Sequence, residues 1–111
     1  MVITALESIA EGKTQADVMA AHKHVKAQAD AAGLTLWSAA WSEDGKSVVV
    51  TEVVDSPETY MKFVGTVDMA LVGGCIKFDE VRLCATEQQV AGLGDVVKNF
   101  GMKVNITAPA A

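Results

Sequence analysis

Leu34 to Val54, LTLWSAAWSEDGKSVVVTEVV, reads as two extended runs joined by the polar turn Ser42-Glu-Asp-Gly-Lys46. Asp44-Gly45 between apolar runs is the strongest short-range signal for a β-hairpin. The second arm, Ser47 to Val54, has valine at five of eight positions, and only Thr51 and Glu52 interrupt it after Ser47. Such an arm is apolar on both faces, so both faces of the sheet it joins need covering. A turn of even length puts Leu36, Ser38 and Ala40 on one side with Val49, Thr51 and Val53, and Trp37, Ala39 and Trp41 on the other with Val48 and Val50. An odd turn would reverse that pairing.

On the N-terminal side of the hairpin, Val2 to Ile9 alternates loosely as a strand and Glu11-Gly12-Lys13 makes a turn. Thr14 offers a cap for a helix from Gln15 to about Ala32, an alanine-rich stretch without proline or glycine. Its apolar stripe is Val18, His22, Val25 and Ala29, and Gly33 stops it. On the C-terminal side, Ser56 caps a second helix with Pro57 at its first position, where a missing amide costs nothing. Tyr60, Phe63, Val64 and Val67 form its inner face. Gly65 weakens it, and a short extra turn is expected through Ala70 and Leu71 before Gly73-Gly74. Ile76 to Ala85 reads as a fourth strand whose alternation slips at Asp79-Glu80, the mark of a bulge or an exposed edge. Thr86 and Gln89 make a capping box for a third helix lined by Val90, Leu93, Val97 and Phe100 and stopped at Gly101. Met102, Val104 and Ile106 alternate as a candidate last short strand.

The order strand, helix, strand, strand, helix, strand is the ferredoxin-like βαββαβ arrangement, here with an extra C-terminal helix. Right-handed crossovers then set both helices on one face of an antiparallel four-stranded sheet and leave the other face bare. A second copy placed sheet to sheet covers that face most simply, giving a homodimer. The alternative is that the third helix folds across it.

At 111 residues the chain makes one domain spanning residues 1–111. A net charge of -5 argues against nucleic acid or an anionic membrane as partner, since both need a clustered basic face. The amino terminus MVITALESIA has no basic segment and reaches Glu7 after a few apolar residues, so it suits neither a signal peptide nor a span, and a cytoplasmic location is expected. Cys75 and Cys84 stand at opposite ends of one extended run, beyond bridging distance, and are expected as free thiols. No phosphate-binding glycine loop, no G-x-S-x-G elbow and no Cys-x-x-Cys pair occurs.

The run Gly33-Leu-Thr-Leu-Trp37, then Ser42-Glu-Asp-Gly-Lys46, then Thr51-Glu-Val-Val-Asp-Ser-Pro57, followed by a helix, a strand ending near Cys84 and a helix closing at Phe100-Gly101, resembles the dimeric α+β barrel proteins of the antibiotic-biosynthesis-monooxygenase type. The resemblance covers nearly the whole chain and rests on the order and spacing of these segments. It implies a sheet-to-sheet dimer and a pocket between helices and sheet for a planar aromatic or quinol molecule, often handled without metal or flavin. Where the second helix of such proteins often carries a histidine, this chain has Lys62.

His22 is the sharpest candidate for chemistry, because an imidazole in an apolar stripe must find a partner, and one facing a pocket can move protons near neutral pH. The competing reading is a structural histidine. His24 lies about 200 degrees further round the helix, so the two cannot grip one metal. No metal or cofactor is expected. An even turn puts Trp37 directly across from Glu52, where an indole beside a carboxylate in a dry pocket raises the carboxylate's pKa and makes it a base. The alternative makes Trp37 and Trp41 core residues and leaves Glu52 at the rim. Tyr60, Trp41 and Arg82 complete the candidate substrate-binding set. Packing is the competing role for Tyr60, and a surface ion pair with Glu80 for Arg82. Two functions are expected to compete: a cofactor-independent monooxygenase-like protein acting on a small apolar or aromatic molecule, and a non-catalytic ligand-binding or stress-related homodimer.

Overall fold

The structure is a computed structural model that describes residues 1–108. Strands β1 (Val2–Ile9), β2 (Leu36–Trp41), β3 (Ser47–Val53), β4 (Ile76–Ala85) and β5 (Lys103–Ile106) form one sheet in the order β2-β3-β1-β4-β5. Helix α1 (Gln15–Ala32) links β1 to β2. Helices α2 (Pro57–Thr66) and α3 (Met69–Cys75) link β3 to β4, and α4 (Glu87–Leu93) and α5 (Asp95–Asn99) link β4 to β5.

The hairpin is built as its sequence demands. Ser42 N donates to Ser47 O across four intervening residues, and Gly45 N donates back to Ser42 O. Gly45 sits at φ +70°, a conformation glycine adopts freely. Asp44 fixes the turn by accepting from the Ser42 hydroxyl at 2.6 Å and from the Lys46 amide at 3.0 Å. The loop is therefore even, Trp37 pairs with Glu52, and Trp41 pairs with Val48.

One face of the sheet packs under the helices. Ile3, Val48 and Leu83 are buried there against Val18, Ala21 and Ala29 of α1, Tyr60 and Phe63 of α2, and Leu93 of α4. Helix α1 starts at a complete capping box: the Thr14 hydroxyl accepts from the Asp17 amide at 3.2 Å, and the Asp17 carboxylate accepts from the Thr14 amide at 2.8 Å. It ends at Gly33, whose φ of +88° turns the chain toward β2. Among the described residues no helix lies over the opposite face, where Leu6, Leu36 and Val49 are exposed.

Three sequence expectations need correction. The sheet has five strands rather than four, and it is mixed, because β5 runs parallel to β4 with Arg82 opposite Lys103 and Ala85 opposite Ile106. A parallel neighbour requires a crossover of a dozen residues or more, and residues 86–102 supply it. The third helix is two helices. Gly94, at φ +56° and ψ -130°, takes a backbone conformation closed to other residues and breaks the segment between Leu93 and Asp95. Nor does that segment fold across the bare face, since Leu93 and Val96 are buried in the same core as α1 and α2.

The slip read at Asp79-Glu80 is a bulge. Glu80 pairs with Leu6 and Phe78 with Glu7, which leaves Asp79 without a partner on β1. Beyond it, Glu80, Arg82 and Cys84 point to the uncovered face, whereas Phe78 and Ile76 point to the helices. Cys75 and Cys84 are both free thiols. No helix among the described residues is long and apolar enough to cross a membrane.

Candidate functional site

The interior is not fully packed. A half-open cavity of about 70 Å³ lies between the helical face of the sheet and helices α1, α2 and α3. Its walls are mostly apolar, including Ile3, Val25, Val50, Phe63, Val67, Val72 and Val81, and the polar side chains among them are Glu7, His22, Trp37, Glu52 and Tyr60. Met69 and Phe78 are its most exposed lining residues and mark the mouth.

Each polar group arrives from a different element. Alternation along β1 puts Glu7 on the same face as the buried Ile3 and Ala5, so a carboxyl group is driven inside. There it meets His22, the middle residue of the α1 stripe. His22 Nε2 lies 2.8 Å from Glu7 Oε1, with the residues 7% and 4% exposed. Trp37 packs the His22 ring edge to face, the ring centres 5.4 Å apart, and Trp41 approaches it at 6.4 Å.

Next to Trp37, Glu52 turns its carboxyl group into the cavity. Tyr60 donates its hydroxyl to Glu52 Oε1 at 3.2 Å. Burial pushes the Glu52 carboxyl from its usual 4.5 up to about 7; the Tyr60 hydrogen bond works against this, the nearby Glu7 charge adds to it, and a weak pull from Trp37 comes last. Tyr60 moves the same way, well above the usual phenol range, from burial first and the Glu52 carboxylate second. That pull comes from the Trp37 indole N–H, which is directed toward the Glu52 carboxyl but, among the described residues, meets no acceptor in full hydrogen-bonding geometry.

Four of the six residues singled out in the sequence therefore share one cavity: His22, Trp37, Glu52 and Tyr60. Trp41 stands behind His22 and does not line the space. Arg82 is on the other face of the sheet, where its guanidinium donates to Glu80 at 3.1 and 3.2 Å, and Lys103 reaches the same carboxylate at 2.6 Å. The bulge at Asp79 does not turn Arg82 inward, because the residue lies on the side that keeps register with Thr4. Glu7 is the site residue that sequence reasoning missed. The signal was present, since Glu7 follows Ile3 and Ala5 on the apolar parity of a strand. His24 serves a structural purpose, because its Nε2 accepts the Asp68 amide at 3.0 Å and ties α1 to the start of α3. Among the described residues no group of three or more His, Cys, Asp or Glu side chains is arranged to hold a metal ion.

Fold and site together define a small α+β protein: a five-stranded mixed sheet with helices on one face and a half-open apolar cavity holding two carboxyl groups, an imidazole and a phenol. No family model matches the sequence, and no curated protein matches it. Among solved structures the chain is similar to MupZ from Pseudomonas fluorescens, with a TM-score of 0.75 over 99% of this chain and 91% of that one, at 7% sequence identity. Likeness at that identity speaks to the fold and not to the chemistry.

Proposed function

We propose that the cavity takes a small, largely apolar aromatic or quinol-type molecule and that Glu52 removes a proton from it. The observation that carries this reading is a carboxyl group held at about 7 against an apolar cavity, which is where a general base for neutral pH should titrate. Once deprotonated, an electron-rich aromatic can reduce dioxygen itself, one oxygen atom entering the product and the other leaving as water. This is the cofactor-independent monooxygenase-type reaction. His22, pinned by Glu7, fixes the Trp37 ring that forms one wall. The expected result is oxygen uptake when the protein meets single-ring hydroquinones and hydroxylated aromatics. A panel of such compounds that consumes no oxygen above the protein-free rate would remove the enzymatic reading.

The size of the cavity favours a second reading. At about 70 Å³ it is about half the ~150 Å³ that holds benzene in an engineered cavity, so a ring enters only if Met69 or Phe78 yields at the mouth. A non-catalytic holder of a small ligand, or a stress-related homodimer with no turnover, is compatible with that geometry. Quenching of tryptophan fluorescence by a ligand without oxygen uptake is its expected signature.

The same proposal extends to assembly. The uncovered sheet face carries exposed Leu6, Leu36 and Val49, a stripe that suits a second copy of this chain packed sheet to sheet, as in a dimeric α+β barrel. Sedimentation equilibrium at micromolar concentration is expected to give twice the chain mass. A single-chain mass there would count against the dimer.

A further inference from the structure

The cavity is rich in aromatic faces and poor in positive charge. Of the six aromatic residues in the chain, five line it: Trp37, Tyr60, Phe63, Phe78 and Phe100. Two carboxyl groups, Glu7 and Glu52, share the same walls, and among the described residues no lysine or arginine does. A carboxylate in an apolar interior ordinarily stands against a cation. Glu7 has the imidazole of His22 at 2.8 Å. Glu52 has neutral donors only, the Tyr60 hydroxyl at 3.2 Å on Oε1 and the Trp37 indole directed toward it. Two such donors leave about half of a carboxylate's lone-pair positions open. Glu52 sits on the helix-facing side of β3, across from Ile3 and Trp37, yet it is only part-buried, and its free surface belongs to the cavity wall.

We propose that the cavity is a site for a small organic ammonium ion, whose charged head hydrogen-bonds to the Glu52 carboxylate while the aromatic walls hold it by cation–π contact. This deepens the proposed function, and rests on its reading of the cavity as a ligand site rather than on turnover. The ammonium supplies what the walls lack, a full positive charge beside Glu52. A hydrogen bond between charged partners is stronger than a neutral one, and an aromatic face attracts a cation lying over it. A neutral molecule of the same shape gains only its burial. Dependence on pH follows. The other ionisable groups facing Glu52 across the cavity are Glu7 from β1, His22 from α1 and Tyr60 from α2, and the lining residues of α3 and β4 carry no charge. Burial keeps the Glu52 proton in place up to about 7, so below that value an ammonium ion must displace it and binds more weakly.

Two matched pairs test this: benzylamine against benzyl alcohol, and the smaller isobutylamine against isobutyl alcohol for a mouth that admits no ring. The titrations are run in about 0.15 M salt, which screens contacts with the acidic surface. At pH 8 each amine is expected to bind about tenfold or more tightly than its alcohol, the worth of a hydrogen bond to a charged group. From pH 8 to pH 6 the amines should lose about tenfold as Glu52 takes up its proton, while the alcohols stay within about twofold. In Glu52→Gln both the preference for the amine and its loss at pH 6 should shrink to about twofold or less. Alcohols that bind as tightly as the amines would overturn the inference. So would a preference for the amines that persists in Glu52→Gln. In both cases the ligand-site reading and its oxygen-uptake test stand. If none of the four compounds binds, that reading falls and the inference with it. Should Glu52→Gln not fold, the pH series on the unmodified protein decides.

Discussion

Glu52→Gln is expected to abolish proton removal and yet make the protein more stable at alkaline pH. A positioned general base contributes about 10²- to 10⁴-fold in rate, and the amide keeps the shape while losing the basicity. In the unmodified protein, kcat/KM should rise with pH and level off above about 7, where the Glu52 carboxyl has ionised. Stability runs the other way. The folded protein holds the Glu52 proton up to about 7, whereas the unfolded chain releases it near 4.5. Between those values the native state binds more protons than the unfolded one, so stability falls as pH rises through that window. The loss is at most about 3 kcal/mol, less whatever solvent entering the half-open cavity screens. A glutamine amide in its place cannot ionise and can still accept from Tyr60. Urea unfolding should therefore find Glu52→Gln more stable than the parent at pH 8 and close to it at pH 4.5. If the two proteins have the same stability at both values, Glu52 is not a strained carboxyl group and the base assignment loses its support.

His22→Ala is expected to cost about 3 kcal/mol or more, beyond what the lost ring volume explains. The reason is the partner left behind. Glu7 Oε1 lies 2.8 Å from His22 Nε2 in a nearly closed setting, and removing the imidazole strands a buried carboxyl group. Glu7→Met strands the imidazole in turn. The double replacement Glu7→Met with His22→Leu strands nothing, and buried pairs replaced by apolar residues often lose little. A double-mutant cycle built on Glu7→Met and His22→Leu should therefore return a coupling energy of about 1.5 to 3 kcal/mol, with the double variant more stable than either single one. Simple additivity of the two losses would mean that the groups act as independent filler.

These two residues also mark where sequence reading succeeds and where it stops. The hairpin was legible from Asp44-Gly45, but its register was open between an even and an odd loop, and it is the even loop of the structure that buries Trp37 with Val48 and Val50. From that register the neighbourhood of Trp37 and Glu52 followed. His22 was legible as an oddity on an apolar helix stripe. Its partner was not: the proximity of Glu7 to His22 depends on how α1 crosses the sheet, and helix-to-sheet packing leaves no local pattern. The last strand was legible as a candidate from Met102, Val104 and Ile106, but its parallel place beside β4 was not, since the crossover sets that direction. Gly94 was one glycine among nine, and nothing local distinguishes a helix break there from the tolerated Gly92 two residues earlier. Arg82 was correctly read as a candidate for an ion pair with Glu80. Only the pairing of β4 with β1 decides that it faces away from the cavity.

The extra residue at Asp79 gives β4 two phases. Ahead of it, even-numbered residues serve the interior; after it, even-numbered residues serve the outside, so one strand delivers Phe78 to the cavity mouth and Glu80 to Lys103 on the far side. A regular ten-residue ribbon could not do both. Mouth and outer charge cluster are thereby geared to a single backbone irregularity. Excising that one residue would force one half of the strand to roll over, either exposing Val81 and Leu83 or withdrawing Phe78 from the entrance, and no side-chain replacement could imitate the result.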